Sequence, residues 1–80
     1  MYKLERKKMK MSDITYSITE HIAKIASRGE WTLELNKVSF NDKPAKWDIR
    51  SWNEDHSRMS KGLSLSDEEF TELKLILSTL

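Results

Sequence analysis

From residue 14 to residue 65 apolar and polar side chains alternate, and from 66 to 80 the spacing becomes helical. Ile14, Tyr16 and Ile18 fall at every second position, and Ile22 and Ile25 follow after one break in phase. The stretch 14–26 therefore predicts a first strand. Arg28-Gly29 signals a turn. Trp31, Leu33 and Leu35 alternate again, but Val38 and Phe40 continue in the opposite phase. That shift predicts a second strand over 31–40 with a bulge or sharp bend near Asn36-Lys37. Asn41-Asp42-Lys43-Pro44 reads as a polar turn. Residues 45–52 predict a third strand with Trp47 and Ile49 on one face and Lys46, Asp48, Arg50 and Trp52 on the other. After a polar loop at Asn53 to Ser57, residues 58–65 predict a fourth strand with Met59, Leu63 and Leu65 on one face. Lys61 falls in that apolar phase, and Gly62 beside it permits a local distortion.

The last element carries the clearest signals. Ser66 and Glu69 have the spacing of a capping box, Leu65 and Phe70 that of a hydrophobic staple. The acidic first turn, Asp67-Glu68-Glu69, suits the positive end of a helix dipole. Phe70, Leu73, Ile76, Leu77 and Leu80 share one face, with Leu75 opposite. The expected class is α+β, a curved four-stranded antiparallel sheet followed by one C-terminal helix. One helix covers one sheet face well, so the other stays open or is shared with a partner. Phe70, Leu73 and Leu77 are expected to pack on the sheet and to help form a dimer.

Eighty residues make one domain. So short a chain buries a limited fraction of its surface. It has no cysteine, so neither a disulfide nor a thiolate metal site supports it. Oligomerisation is the remaining common route to more burial, and a homodimer is expected. No apolar run is long enough to span a bilayer, and the basic N-terminus lacks the apolar core of a secretory signal. The expected location is the cytoplasm, with nucleoid association if the source is bacterial. The net charge of +1 conceals a division. Residues 1–11 hold Lys3, Arg6, Lys7, Lys8 and Lys10 against Glu5 and read as a flexible basic tail before a domain at 12–80. Asp67, Glu68, Glu69 and Glu72 make the C-terminal helix acidic against Lys74, which disfavours that helix as a phosphate-binding surface.

Catalysis has little support in these residues. There is no nucleophile-and-base pattern with a recognisable context, and two glycines, Gly29 and Gly62, make no phosphate loop. His21 and His56 lack metal-ligand spacing; the first reads as a packed or edge histidine and the second as a solvated one. No cofactor, metal or small-molecule substrate is expected. The stretch 40–62 instead interleaves flat rings with cations. Lys46, Arg50 and Trp52 share one strand face at about 6.6 Å per pair of residues, close to the reach between bases of an extended single strand. Trp52 and Phe40 could stack on bases and Arg50 could meet phosphate or a base, while Lys37, Arg58 and Lys61 line the path. The plainer reading is that Trp31 and Trp47 pack in the core and that the cations are solvated. From the pattern alone, a single-strand-binding surface and a dimeric protein-interaction module both stand.

Trp47-Asp48-Ile49-Arg50, Met59-Ser60-Lys61-Gly62-Leu63-Ser64-Leu65-Ser66, Glu69-Phe70 and Leu73-Lys74 resemble the single-stranded DNA-binding domain of the transcriptional coactivator positive cofactor four family. The segments from Asn36 to His56 are most similar to its small bacterial YdbC-type members. The resemblance covers residues 14–80, most strongly 35–74. It implies a homodimeric, non-enzymatic protein whose strands form grooves for single-stranded DNA with little sequence preference, acting in transcription or DNA maintenance. It places Phe40, Arg50, Trp52 and Lys61 at the aromatic and basic positions of that groove. RNA remains an alternative ligand, because stacking alone does not read the 2′-hydroxyl.

Overall fold

The computed structural model describes residues 14–80; the basic tail expected at 1–11 lies outside them. The order is β1 (Tyr16–Arg28), β2 (Trp31–Phe40), β3 (Lys46–Trp52), β4 (Leu63–Leu65) and α1 (Asp67–Leu77). The strands form one antiparallel sheet in sequence order. The class and element order match the sequence pattern. Gly29 takes φ +60 in the two-residue reversal from β1 to β2, a conformation that costs glycine nothing. Asn41 and Asp42, both at positive φ, turn β2 into β3, and the Lys43 amide closes the turn on the Phe40 carbonyl at 3.0 Å.

The bulges lie in β1 and not in β2. Thr19, Ile22 and Ile25, three residues apart, have no partner on β2, so thirteen residues of β1 span ten of β2. By contrast, β2 pairs with β3 without a shift from Thr32 to Val38. The change of phase along β2 arises because both of its faces carry apolar residues. Repeated bulges on one edge strand bend and coil a sheet, and here the bending is large. Phe40 lies six residues along β2 from Glu34, the partner of Arg50, which is about 20 Å in a straight strand. Yet the Arg50 guanidinium sits 5.0 Å from the centroid of the Phe40 ring. Likewise Tyr16, opposite Phe40, meets Trp52, which pairs at the far end of β2 with Thr32, at 5.5 Å between ring centroids. The sheet therefore curls until one end touches the other.

This curl reverses the expected burial. The face without the helix is concave and holds the buried residues: Val38, Trp52, Glu34, Asn36 and Asp48. It is not an open face. Three of these five are polar or charged and have hydrogen-bond partners, as burial requires. The convex face is only half covered. Its Leu33, Leu35, Trp47, Ile49 and Leu65 are half-buried, and Leu63 is exposed. The helix begins as predicted, with reciprocal hydrogen bonds between Ser66 and Glu69. Phe70 stacks on Trp47 at 4.1 Å and the Trp47 Nε1–H donates to Asp67 at 2.8 Å, which fixes the first turn to β3. Beyond Leu73 the helix leaves the sheet: Leu75, Ile76 and Leu77 are more than half exposed, so Leu77 does not pack on its own sheet. The fourth strand is shorter than expected, with Met59 reduced to a single bridge to Trp52. Among the described residues no helix is long and apolar enough to cross a membrane.

Trp52 is the largest fully buried side chain and sits at the closure of the curl. Trp52→Ala is expected to lower stability by about 3–5 kcal/mol, the range for removing a buried aromatic. Urea unfolding followed by circular dichroism measures this; a loss under about 1 kcal/mol would mean that the ring is solvent-exposed.

Candidate nucleic-acid interface

The closure of the sheet builds a small aromatic and cationic constellation. Asp48 and Arg50 are two residues apart on β3 and so share the concave face. Asp48, fully buried, accepts the Arg50 Nε–H at 2.7 Å and an Nη2–H at 2.8 Å. Its Oδ2 also accepts the Ser64 hydroxyl from β4 at 2.9 Å. On the other side Arg50 Nη1 lies 3.3 Å from the Ser60 carbonyl and 3.4 Å from the Met59 sulfur. Gly62 makes room for this arrangement. A Cβ there would stand 2.3 Å from the Arg50 Cβ and 2.7 Å from its Nε, well inside contact distance. The lack of a side chain, and not backbone freedom, is thus what Gly62 supplies. Phe40 completes the group, its ring over the guanidinium.

The seven residues expected at the site divide. Phe40, Lys46 and Arg50 share the concave-face phase, with Lys46 exposed beside the β2–β3 turn. Arg58 and Lys61 are exposed in the segment between β3 and β4, flanking the Met59-Ser60 pair that touches Arg50. Lys37 is elsewhere: it pairs with Trp47, and its ammonium lies 4.8 Å from that ring on the convex face. Trp52 shares the phase of Arg50 but is wholly buried, enclosed by Tyr16 and His56, and offers no ring face to a base. The assignment of Trp52 as a stacking platform is therefore corrected. The phase of β3 was legible; which face the sheet would close upon was not.

A second group anchors the loop after β3. The Glu34 carboxylate accepts from the Thr32 hydroxyl at 2.6 Å and from the Asn36 amide at 3.0 Å, and His56 Nε2 stands 3.0 Å from both its oxygens. His21 on β1 bonds the Asn36 amide oxygen at 2.7 Å. His56 is thus a half-buried tether and not a solvated loop residue. Its φ of 59 is left-handed, and the conformation is held by the Tyr16 hydroxyl donating to its carbonyl at 2.7 Å. Asn53 clips the same loop by accepting the Arg58 amide at 2.9 Å. The loop that carries Arg58 and Lys61 is in this way fastened to the curled sheet. Burial pushes the Glu34 carboxyl up, but the hydrogen bonds from Thr32, Asn36 and His56, with the charge of His56, outweigh it and hold the group below its ordinary value. Among the described residues no group of three or more His, Cys, Asp or Glu side chains is placed to hold a metal.

The comparisons with known proteins agree with this architecture. The profile of the family described as Transcriptional Coactivator p15 (PC4) matches residues 28–76, from the end of β1 almost to the end of α1. A protein of Treponema pallidum (strain Nichols), described as an uncharacterized protein, is 36% identical over 69 residues, covering 85% of this chain and 81% of its own. The chain belongs to the transcriptional coactivator p15 (PC4) family. That family is one of nucleic-acid-binding, coactivator-like domains.

Glu34 titrates with a lowered native pKa, so its contribution to stability is complete above the ordinary glutamate pKa of about 4.3 and is lost as pH falls through the lower native value. Urea midpoints measured across this acid range should fall less steeply with pH in Glu34→Gln than in the wild type. Equal slopes would show that Glu34 does not carry the acid sensitivity.

Proposed function

We propose that this protein binds single-stranded DNA without sequence preference, as a homodimer, in transcription or DNA maintenance. Phe40 supplies the stacking surface, and Lys46, Arg58 and Lys61 supply phosphate contacts. The observation that carries this reading is the Phe40 ring set on Arg50 next to exposed cations that, among the described residues, make no ion pair. Flat rings and free positive charge side by side suit a polymer with exposed base faces and a charged backbone. The family supports the same ligand class. The family is one of non-enzymatic nucleic-acid-binding domains, which supports binding without catalysis.

The homodimer is supported by what one copy leaves uncovered. Leu75, Ile76 and Leu77 of α1 and Leu63 of β4 are all more than half exposed. A second copy placed against this apolar surface would bury it and bring two single-strand sites into one particle. Two linked sites on one strand raise avidity without new contacts.

Because Trp52 is buried and Trp47 lies on the convex face, anisotropy of a labelled oligonucleotide is a better readout than tryptophan quenching. Labelled oligo-dT should bind at low salt, and binding should weaken steeply as salt rises. Phe40→Ala should cost about 1–3 kcal/mol of affinity, the value of one lost base stack. Lys46→Ala should lower the salt slope by about 0.7. No binding of oligo-dT at low salt would sink the reading, and tighter binding of oligo-U would move it to RNA. Sedimentation at micromolar concentration should show a dimer, converted toward monomer by Leu77→Asp; a wild-type monomer would refute the dimer.

A further inference from the structure

Arg50 looks like a phosphate ligand by its charge but is not placed like one. Of the five N–H groups of a guanidinium, Asp48 takes two, and Nη1 faces the Ser60 carbonyl and the Met59 sulfur. The side chain is 13% exposed and its carboxylate partner 0%. A positive charge paired so closely with a negative one projects little field toward a phosphate. The Arg50 guanidinium lies over the half-buried Phe40 ring, 5.0 Å from its centroid. The slot over Gly62 and the hydroxyl of Ser64 on Asp48 leave the guanidinium little freedom.

We propose that Asp48 is a positioning residue: it neutralises Arg50 and holds the guanidinium flat as a backing for Phe40. Arg50 then serves single-strand binding through the orientation of that ring and not as a phosphate ligand. The proposal rests on the reading of this face as a single-strand site. It separates two kinds of basic residue in one interface. Among the described residues Lys46, Arg58 and Lys61 make no ion pair, whereas Arg50 is a support with its charge spent inside the protein. Lysine cannot replace it, because an ammonium has neither the fork that grips Asp48 nor the plane that underlies a ring.

The test compares wild type, Asp48→Asn, Arg50→Lys and Arg50→Met by anisotropy titration of labelled oligo-dT over a salt series. Circular dichroism checks the fold, and nuclear Overhauser effects between the Arg50 side chain and the Phe40 ring report the geometry in the free protein. The positioning role predicts about tenfold weaker binding for each folded variant, within the span of a weakened base stack, with the salt slope unchanged and the Arg50–Phe40 contact present only in the wild type. If Arg50 were a phosphate ligand, Asp48→Asn would free its charge and bind more tightly, Arg50→Lys would bind nearly as well as wild type, and Arg50→Met would lower the salt slope by about 0.7. Any of these three results overturns the proposal while leaving the single-strand reading intact. A wild type that does not bind oligo-dT overturns that reading and the proposal together. Should Asp48→Asn fail to fold, the two Arg50 variants decide the question.

Discussion

The curl of the sheet is the constraint on which the other features depend. Three unpaired residues in β1, Thr19, Ile22 and Ile25, lengthen one edge strand relative to its neighbour. The bent sheet brings Tyr16 and Phe40 onto Trp52 and Arg50, positions that a straight β2 would hold far apart. Each element of the interface follows from that contact. Phe40 gains its support, Tyr16 reaches the carbonyl of His56, and the β3–β4 segment is fastened where it presents Arg58 and Lys61. The bulges serve a second purpose at the free edge, since an irregular strand is a poor template for further pairing.

A sheet closed on itself with so few apolar residues needs polar groups in its interior, and these must be satisfied. Glu34, Asn36 and Asp48 are buried and each is bonded on more than one side. The buried Asp48–Arg50 pair need not stabilise the fold, because desolvation offsets much of its attraction. Its value is geometric, as it holds the guanidinium 5.0 Å from the centroid of the Phe40 ring. Among the described residues the buried Trp52 Nε1–H has no partner. The helix contributes little to this interior. Its capped first turn docks through Phe70 and Asp67 on Trp47, and its later apolar residues are left for another surface.

Much of this was legible in the chain. Period-two alternation gave four strands, and the turns at Gly29 and Asn41-Asp42 fell where the punctuation put them. Ser66 and Glu69 made the predicted cap. The phase of β3 correctly set Trp47 and Ile49 against Asp48, Arg50 and Trp52. What local pattern could not give was closure, a relation between residues far apart along the strands. Without it, the concave face looked like solvent and Trp52 like a platform, while Trp47 looked like core; the structure buries Trp52 fully and Trp47 only in part. Lys37 has the charge of a groove residue, but its neighbours Leu33 and Leu35 share its convex phase. Two local signals in the chain do mark these features. The spacing of Ile22 and Ile25 by three marks successive bulges, and Asp48 two residues before Arg50 on one strand face marks an internal ion pair.

Photo-cross-linking tests most directly whether the closed sheet leaves the half-buried Phe40 within reach of a base and hides Trp52. Ultraviolet irradiation of the protein with oligo-dT, followed by mass spectrometry of the linked peptides, identifies the aromatic that touches a base. The structure predicts attachment at Phe40, with Trp52 unmodified. Attachment at Trp52 with Phe40 unmodified would mean that the sheet opens to bind, and would contradict the closed interface.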